Sequence, residues 1–291
     1  MQRPDVLVLG VGGTLGEAWM RGVLSGVESV SDLDFRRCEH FLGSSAGSIV
    51  AATLAAGRRP AAGDRARRAW QDAAPSAADG SGLLARAASA AASPLAPLAL
   101  AGAAPAGRAV RAAALRAVPD AKRTLGRLGS HLDSLGAEFD GRLRIAAVDR
   151  RSGRRVVFGA PGAPEARVSQ AVLASCAVPA VFAPVEIGGR EYVDGGVWSP
   201  INLDAAPAGR GAQVLCLVPT GAGFAALRTF TRARLSAETL ALKSRGATVR
   251  TIFPDENSAA AMGANLMDGG RAEQVLDAAF AQGRSLATAS A

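Results

Sequence analysis

The sequence predicts a three-layer α/β fold, in which a mostly parallel central sheet carries helices on both faces. Short apolar segments typical of buried strands alternate with longer helix-like segments. Hydrophobic residues make up 49% of the 291 residues, which is ample for a large core. Residues 58–128, rich in Ala, Arg, Gly and Pro, interrupt the alternation. We therefore expect a single α/β domain over residues 1–291, with a helical insertion over 58–128 that follows the second helix.

The first element joins a strand to a glycine-rich turn. Residues 6–9 (Val-Leu-Val-Leu) predict a buried strand, and residues 10–16 (Gly-Val-Gly-Gly-Thr-Leu-Gly) lead into a helix from about Glu17. Consecutive N–H groups in such a turn form a nest for an anion. A nucleotide phosphate is disfavoured because the turn lacks the P-loop pattern, although Asp32 and Asp34 lie near the acidic position of a dinucleotide site. A developing oxyanion needs the same donors.

The second element is a serine between two glycines. Residues 43–47 read Gly-Ser-Ser-Ala-Gly, after an apolar stretch and before a helix expected over about 49–56. A sharp turn from a strand into a helix holds such a serine in a strained conformation, and side chains at Gly43 or Gly47 would clash with the neighbouring backbone. The pattern favours Ser45 as a nucleophile.

A base for this serine is not evident among the histidines. The chain has only His40, on the strand that leads to Ser45, and His131, near an expected helix start. A carboxylate is favoured instead, and two Asp-Gly-Gly sequences supply one. Asp194 ends an apparent hairpin over 185–193, whereas Asp268 ends a helix-like run over 259–267. We favour Asp194, because a strand end at a sheet edge is a common place for reactive groups.

Together these elements resemble the patatin-like phospholipase family. That family has a glycine-rich oxyanion loop, then Gly-x-Ser-x-Gly, then Asp-Gly-Gly or Asp-Gly-Ala. Here these are Gly10 to Gly16, Gly43 to Gly47, and Asp194 with Gly195 and Gly196. Residues 171–184 (Ala-Val-Leu-Ala-Ser-Cys-Ala-Val-Pro-Ala-Val-Phe-Ala-Pro) are similar to the helix, proline and strand before the family's aspartate. The chain departs from the family at Leu15, where an arginine is usual.

The resemblance implies a lipid acyl hydrolase of the phospholipase A or esterase type, with a Ser45–Asp194 dyad. It also implies an oxyanion hole from the amides of Gly12 and Gly13, with Gly10 or Thr14 beside them. No metal or organic cofactor is required, and the substrate is a lipid or a simpler ester. The alternative, suggested by Leu15, is a lipid-binding or regulatory protein without useful turnover.

Composition bears on partners and compartment. The formal charge is +8, from 33 Lys plus Arg against 25 Asp plus Glu. Compositional drift explains this excess at least as well as selection does; where it acts, peripheral contact with an anionic membrane is the economical use. We expect no nucleic-acid binding, because no binding module or stacking aromatics accompany the charge. Three cysteines in apolar stretches favour reduced thiols, and no leader peptide is evident. A cytoplasmic location follows.

The remaining segments continue the strand–helix alternation. Strands are expected at 143–148, 213–218 and 248–253, and helices within 226–245 and across 272–281. In the insertion, the apolar residues 93–102 predict either a lid or membrane-facing surface over the acyl pocket, or a helix pair packed on the domain. Trp19 and Trp198 flank catalytic elements, but such aromatics more often fill a core. Asn202 and Ser199 are expected to make local turn hydrogen bonds.

Overall fold

The computed structural model describes residues 2–60, 107–119, 121–223 and 225–289. The strands are β1 (Val6–Leu9), β2 (His40–Ser44), β3 (Leu143–Asp149), β4 (Arg155–Phe158), β5 (Val185–Ile187), β6 (Arg190–Asp194), β7 (Gln213–Leu217) and β8 (Thr248–Ile252). The helices are α1 (Gly13–Glu28), α2 (Ala46–Ala55), α3 (Gly107–Ala117), α4 (Gly126–Leu135), α5 (Val168–Cys176), α6 (Ala225–Ser244), α7 (Glu256–Met262) and α8 (Ala272–Thr288).

The described strands form one mixed sheet that is parallel through its centre. Its order is β5-β6-β3-β2-β1-β7-β8, and β4 pairs with β3 off this path. The pairs among β3, β2, β1, β7 and β8 are parallel, while β4, β5 and β6 pair antiparallel. The predicted α/β fold, with a mostly parallel sheet flanked by helices, is confirmed.

The register around β3 brings two distant segments together. Ile145 and Ala146 pair with both β2 and β4, and Ala147 and Val148 pair with both β4 and β6. A strand can pair along only two edges. Because the residues that pair with β4 also pair with β2 or β6, β4 lies on one edge of β3, and β2 and β6 share the other. β2 ends opposite Ala146 and β6 ends opposite Ala147, so the ends of the two strands meet on this edge.

Side chains of the sheet enter cores on both faces. On β1, Leu7 and Leu9 face the core that includes α1, α2, α5 and α8, while Val6 and Val8 face the core that includes α6. This alternation is expected for a strand buried on both sides. In a third cluster, Leu115 of α3 packs on the same face of the sheet as α6. None of the described helices combines the length and apolar character needed to cross a bilayer.

Several boundaries differ from the expectation. Helix α1 starts at Gly13 rather than near Glu17, because the glycine-rich turn winds directly into the first helical turn. The helix predicted to reach Met267 is wrong at its end: α7 stops before Gly263, which has a φ of 63°. His131 lies inside α4 rather than at a helix start.

The structure describes only part of the predicted insertion. Its described residues include α3 and the first residues of α4. The apolar segment 93–102 lies outside the described residues, so its reading as a lid or as packed helices stays a prediction.

Helices α1 and α8 approach closely through glycines. A Cβ at Gly22 would lie 2.6 Å from the Cβ of Ala279, and one at Gly26 would collide with the carbonyl oxygen of Phe280. Gly283 has the same relation to the carbonyl oxygen of Val23. Because these positions carry no side chains, the two helix backbones come into direct contact. Helix α8 thereby supports the helix that follows the glycine-rich turn.

We expect Gly26→Ala to lower the free energy of unfolding by about 1–3 kcal/mol, because the added methyl forces the helices apart. Ala is otherwise the better helix former, by about 1 kcal/mol. Urea unfolding measures the change.

The matched control is Gly126→Ala at the first residue of α4, where the nearest atom to a Cβ is Thr124 Oγ1 at 4.0 Å. This variant should be neutral or slightly stabilised. Equal effects of the two substitutions would contradict the close-packing account.

Candidate active site

Ser45 occupies the sharp turn between β2 and α2. Strand β2 ends at Ser44 and α2 begins at Ala46, which leaves Ser45 with φ 51° and ψ −125°. A non-glycine residue in such a conformation costs about 1–3 kcal/mol. The side chain is 4% exposed. The structure therefore has the strand–turn–helix geometry expected of a serine nucleophile.

The glycines on either side of Ser45 are required by close contacts. A Cβ at Gly43 would lie 2.5 Å from Ser48 Cα, and one at Gly47 would collide with the carbonyl oxygen of Leu9. The turn is thus pressed against the end of β1. Any side chain at Gly47 would push the start of α2 away from the glycine-rich turn.

Hydrogen bonds hold the backbone of Ser45 in place. Its N–H donates to Ser175 Oγ (2.8 Å), and the Ser175 hydroxyl donates to the carbonyl oxygen of Ala146 (2.7 Å). The Ser48 hydroxyl donates to the Ser45 carbonyl at 2.6 Å. Ser175 thus links α5, the turn and β3. Sequence reasoning missed it, because nothing in its local pattern indicates a contact 130 residues away.

Asp194 lies next to Ser45 because the ends of β2 and β6 meet on β3. Its carboxylate accepts a hydrogen bond from the Gly196 N–H at 2.6 Å and interacts with the Ser45 hydroxyl. A Cβ at Gly195 would collide with the Ala146 carbonyl, so the following turn also lies against β3. The two predicted catalytic side chains are therefore brought together.

The carboxyl of Asp194 is tuned by its surroundings. The residue is 2% exposed, and its burial raises the pKa from 3.8 to about 7. Hydrogen bonds from the Gly196 amide and the Ser45 hydroxyl oppose this shift. A carboxylate with a pKa near neutrality is a far better proton acceptor than an ordinary aspartate.

A buried thiol completes the surroundings of the pair. Cys176 lies 3.9 Å from the Ser48 hydroxyl, and desolvation raises the pKa of its thiol well above the usual value, with a contribution from Asp194. It therefore stays protonated beside the carboxylate. Cys38 and Cys216 are also free and buried, and burial raises the pKa of Cys38 to about 12.

The glycine-rich turn offers three amide donors. The amides of Gly12, Gly13 and Thr14 make no hydrogen bond to any described residue. They lie at the start of α1, where the helix dipole adds positive potential. The turn contacts both catalytic elements, since a Cβ at Gly47 would come 2.8 Å from the Gly10 carbonyl and one at Gly196 3.2 Å from Val11 Cγ1.

The other four amides of the turn are already used, namely those of Gly10, Val11, Leu15 and Gly16. Gly10 N–H donates to the carbonyl oxygen of Leu217 at 3.1 Å, so the expectation that it serves as an oxyanion donor is wrong. Its amide belongs to the β1–β7 pairing instead. The Leu15 N–H donates to the carbonyl oxygen of Leu266 at 3.0 Å.

The other candidates lie elsewhere. Asp268 is exposed and accepts a hydrogen bond from the Gly270 N–H at 3.2 Å, which caps a short 3-10 turn. His40 begins β2, at the opposite end from Ser45. Trp19 is fully buried and donates to Gln282 Oε1 at 2.8 Å, so it fills core. Among the described residues no group of three His, Cys, Asp or Glu side chains is placed to hold a metal ion.

Asn202 does more than the predicted turn chemistry. It has a φ of 58°, and its side-chain amide donates to Ser44 Oγ (3.0 Å), the Gly195 carbonyl (3.2 Å) and the Ser199 carbonyl (2.8 Å). One buried amide thus connects the segment after Asp194 to the strand before Ser45.

We expect Ser175→Ala to lower the free energy of unfolding by about 1–3 kcal/mol, because the Ser45 N–H and the Ala146 carbonyl both lose their partner in a buried site. Urea unfolding measures this. Ser285→Ala is the matched control: that exposed hydroxyl bonds only within α8, to the Ala281 carbonyl. A loss no larger than that of the control would show that Ser175 does not hold the turn.

Comparison with known proteins places these features in a family. The pattern of the family described as patatin-like phospholipase matches residues 7–207, a span that includes Gly10, Ser45 and Asp194. A comparison with curated proteins finds no match.

Among solved structures, the chain is similar to VipD from Legionella pneumophila, with 14% identity over 99% of this chain and 67% of that one and a TM-score of 0.45. It is similar to the type III effector protein ExoU, with 18% identity over 99% of this chain and 53% of that one and a TM-score of 0.43. Because the family pattern covers more than half of the sequence, the chain belongs to the patatin-like phospholipase family.

Proposed function

We propose that this protein hydrolyses carboxylic esters of lipids, as a phospholipase A or esterase, through a Ser45–Asp194 dyad. The observation that carries the proposal is the contact between the strained Ser45 and the buried Asp194, whose pKa is raised to about 7. Family membership supports a lipid acyl hydrolase. The net charge of +8 is compatible with a substrate presented at an anionic membrane surface.

Nucleophilic attack is the first step. Ser45 Oγ attacks the ester carbonyl carbon while the Asp194 carboxylate accepts the hydroxyl proton. A serine hydroxyl is a weak acid, so an ordinary carboxylate would be a poor base for it; desolvation of Asp194 narrows this gap. Ser175 and Ser48 keep the nucleophile in position during the attack.

The negative charge of the tetrahedral intermediate then needs donors. The amides of Gly12, Gly13 and Thr14 supply them, together with the N-terminus of the 16-residue helix α1. These donors are neutral backbone groups, so the mechanism does not require an arginine in place of Leu15. Prealigned amides cost no reorganisation when charge develops.

Collapse of the intermediate completes acyl transfer. The alcohol leaves with the proton from Asp194, and the acyl group stays on Ser45 as an ester. Asp194 then takes a proton from water, whose oxygen attacks the acyl carbonyl carbon. The bond to Ser45 Oγ breaks, Asp194 returns the proton to Oγ, and the carboxylic acid and the free enzyme are released. Atoms and protons balance over the two steps without a metal or cofactor.

Hydrolysis of short- and medium-chain p-nitrophenyl esters tests the dyad. Ser45→Ala and Asp194→Asn should each lose at least about 1,000-fold in kcat/KM, because nucleophile and base act as a unit. Asp268→Asn is the matched control and should keep wild-type activity. Circular dichroism establishes that each variant is folded.

A fluorophosphonate separates this mechanism from lipid binding without turnover. Wild type should be labelled at Ser45, as located by mass spectrometry, and Ser45→Ala should not. Folded wild type that binds lipid vesicles but neither reacts nor turns over would favour the regulatory alternative. Ester hydrolysis that survives Ser45→Ala would exclude the proposed nucleophile.

The raised pKa of Asp194 sets an expected pH dependence. The carboxyl must be ionised to accept a proton, so kcat/KM should rise with pH and level off above about 7. Because histidine also titrates near neutrality, the control is the double variant His40→Gln with His131→Gln, which should keep the rising limb. A limb near pH 4 in wild type, or one lost in the double variant, would contradict Asp194 as the base.

A further inference from the structure

A basic cluster lies on the sheet face opposite α2. Val148 of β3 and Val193 of β6 point to this face, where Leu115 of α3 covers them and Trp198 packs beside them. Residues with the other orientation, such as Tyr192, enter the core with α2. Trp198 follows Asp194 by four residues, so the cluster adjoins the catalytic loop from behind.

Two arginines flank the Trp198 indole. The guanidinium carbons of Arg111 and Arg155 lie 4.5 and 5.3 Å from the ring centroid. Arg155 is neutralised by Asp204, with hydrogen bonds of 2.6 and 2.8 Å to its two carboxylate oxygens. It also donates to Asn202 Oδ1 at 3.3 Å. One of the two charges on the indole is therefore balanced within the chain.

The charge of Arg111 is not balanced by such an ion pair among the described residues. Arg111 is 3% exposed, and its guanidinium donates to the carbonyl oxygen of Gly153 at 3.0 Å. No carboxylate among the described residues pairs with it, and the pKa of its guanidinium is lowered by burial and by the charge of Arg234. A buried charge without a counter-ion is strongly unfavourable. Within the described part of the chain, this leaves a buried positive charge with which an added anion could pair.

Unused hydrogen-bond donors lie on Arg111, on Trp198 beneath it, and on Arg234, whose charge acts on Arg111. Arg111 Nε, Trp198 Nε1 and Arg234 Nε are buried and have no acceptor among the described residues. Arg234 comes from α6 and donates through its terminal nitrogen to Glu238 Oε1 at 3.2 Å. The three donors thus come from α3, the loop after β6, and α6. Each buried N–H without an acceptor is costly, so a shared ligand that accepts from all three would stabilise the fold.

We propose that Arg111, Trp198 and Arg234 bind a phosphate-type oxyanion. Guanidinium and indole N–H groups suit phosphate, whose tetrahedrally arranged oxygens can accept from three directions, whereas the acceptor sites of a carboxylate lie in one plane. The anion is the counter-ion of Arg111. The partly exposed Trp198 gives it access from solvent. Its source is either the headgroup of a phospholipid or free phosphate.

Thermal unfolding of the full chain tests the site. Sodium phosphate should raise the Tm of wild type progressively, whereas sodium chloride of the same ionic strength should not. In Arg111→Met and in Arg234→Gln the affinity for phosphate should fall at least about tenfold, because a charge-assisted hydrogen bond is lost. Arg111→Met should be at least as stable as wild type without phosphate, since an apolar side chain replaces an unpaired buried charge.

Arg116→Gln is the matched control. Arg116 is exposed on the same helix as Arg111, so this variant should keep the wild-type response. Trp198→Phe keeps an aromatic ring but removes the indole N–H without a change of charge, and it should also weaken phosphate binding. Equal effects of phosphate on the Tm of wild type, Arg111→Met and Arg116→Gln would indicate an adventitious ion only and would overturn the proposal. So would a wild-type Tm that follows ionic strength alone.

Titration calorimetry distinguishes the two sources. The Ser45→Ala variant is used, so that no ester is cleaved and the result does not depend on the proposed hydrolase activity. The site binds a headgroup if monomeric dihexanoyl phosphatidic acid binds at least about tenfold more tightly than inorganic phosphate and this difference in affinity is lost when Arg111→Met is added. Inorganic phosphate that binds as tightly as the lipid assigns a free-phosphate site.

Discussion

The candidate active site depends on the shared edge of β3. Because β2 and β6 both end there, opposite the adjacent residues Ala146 and Ala147, Ser45 and Asp194 become neighbours without any long flexible loop. A parallel strand and an antiparallel strand abut end to end on this edge. The strand β3 thereby sets the distance between Ser45 and Asp194, and it lies at the point where the sheet changes from parallel to antiparallel.

Both residues of the proposed dyad are held in states that an isolated chain would avoid. Ser45 has positive φ, and the Asp194 carboxyl has lost its hydration. Polar groups around them compensate: Ser175 ties the turn to β3, and Asn202 ties the loop after Asp194 to Ser44. These hydrogen bonds are buried and join segments far apart in sequence, so they fix the geometry of the site. Strain and support are thus concentrated at the same place.

Elements with a local signature were predictable from the sequence. The apolar strand β1 and the glycines around Ser45 require only neighbouring residues for their interpretation. Ser175 and the Arg111–Trp198 contact were not predictable, because they depend on residues far apart in sequence. The role expected for the Gly10 amide failed for the same reason: its acceptor belongs to a strand more than 200 residues away.

The end of α7 at Gly263 could have been predicted, since this glycine was a possible helix stop but the later pair Gly269 and Gly270 was preferred.

The glycine-rich turn is held by contacts from the C-terminal part of the chain. Leu217 accepts from Gly10, Pro219 packs on Gly12, and Leu266 accepts from Leu15. All three lie beyond residue 207, where the family pattern ends. The segment matched by the family pattern is thus not an autonomous module. Transferring it into another framework would leave the glycine-rich turn without the contacts that shape it.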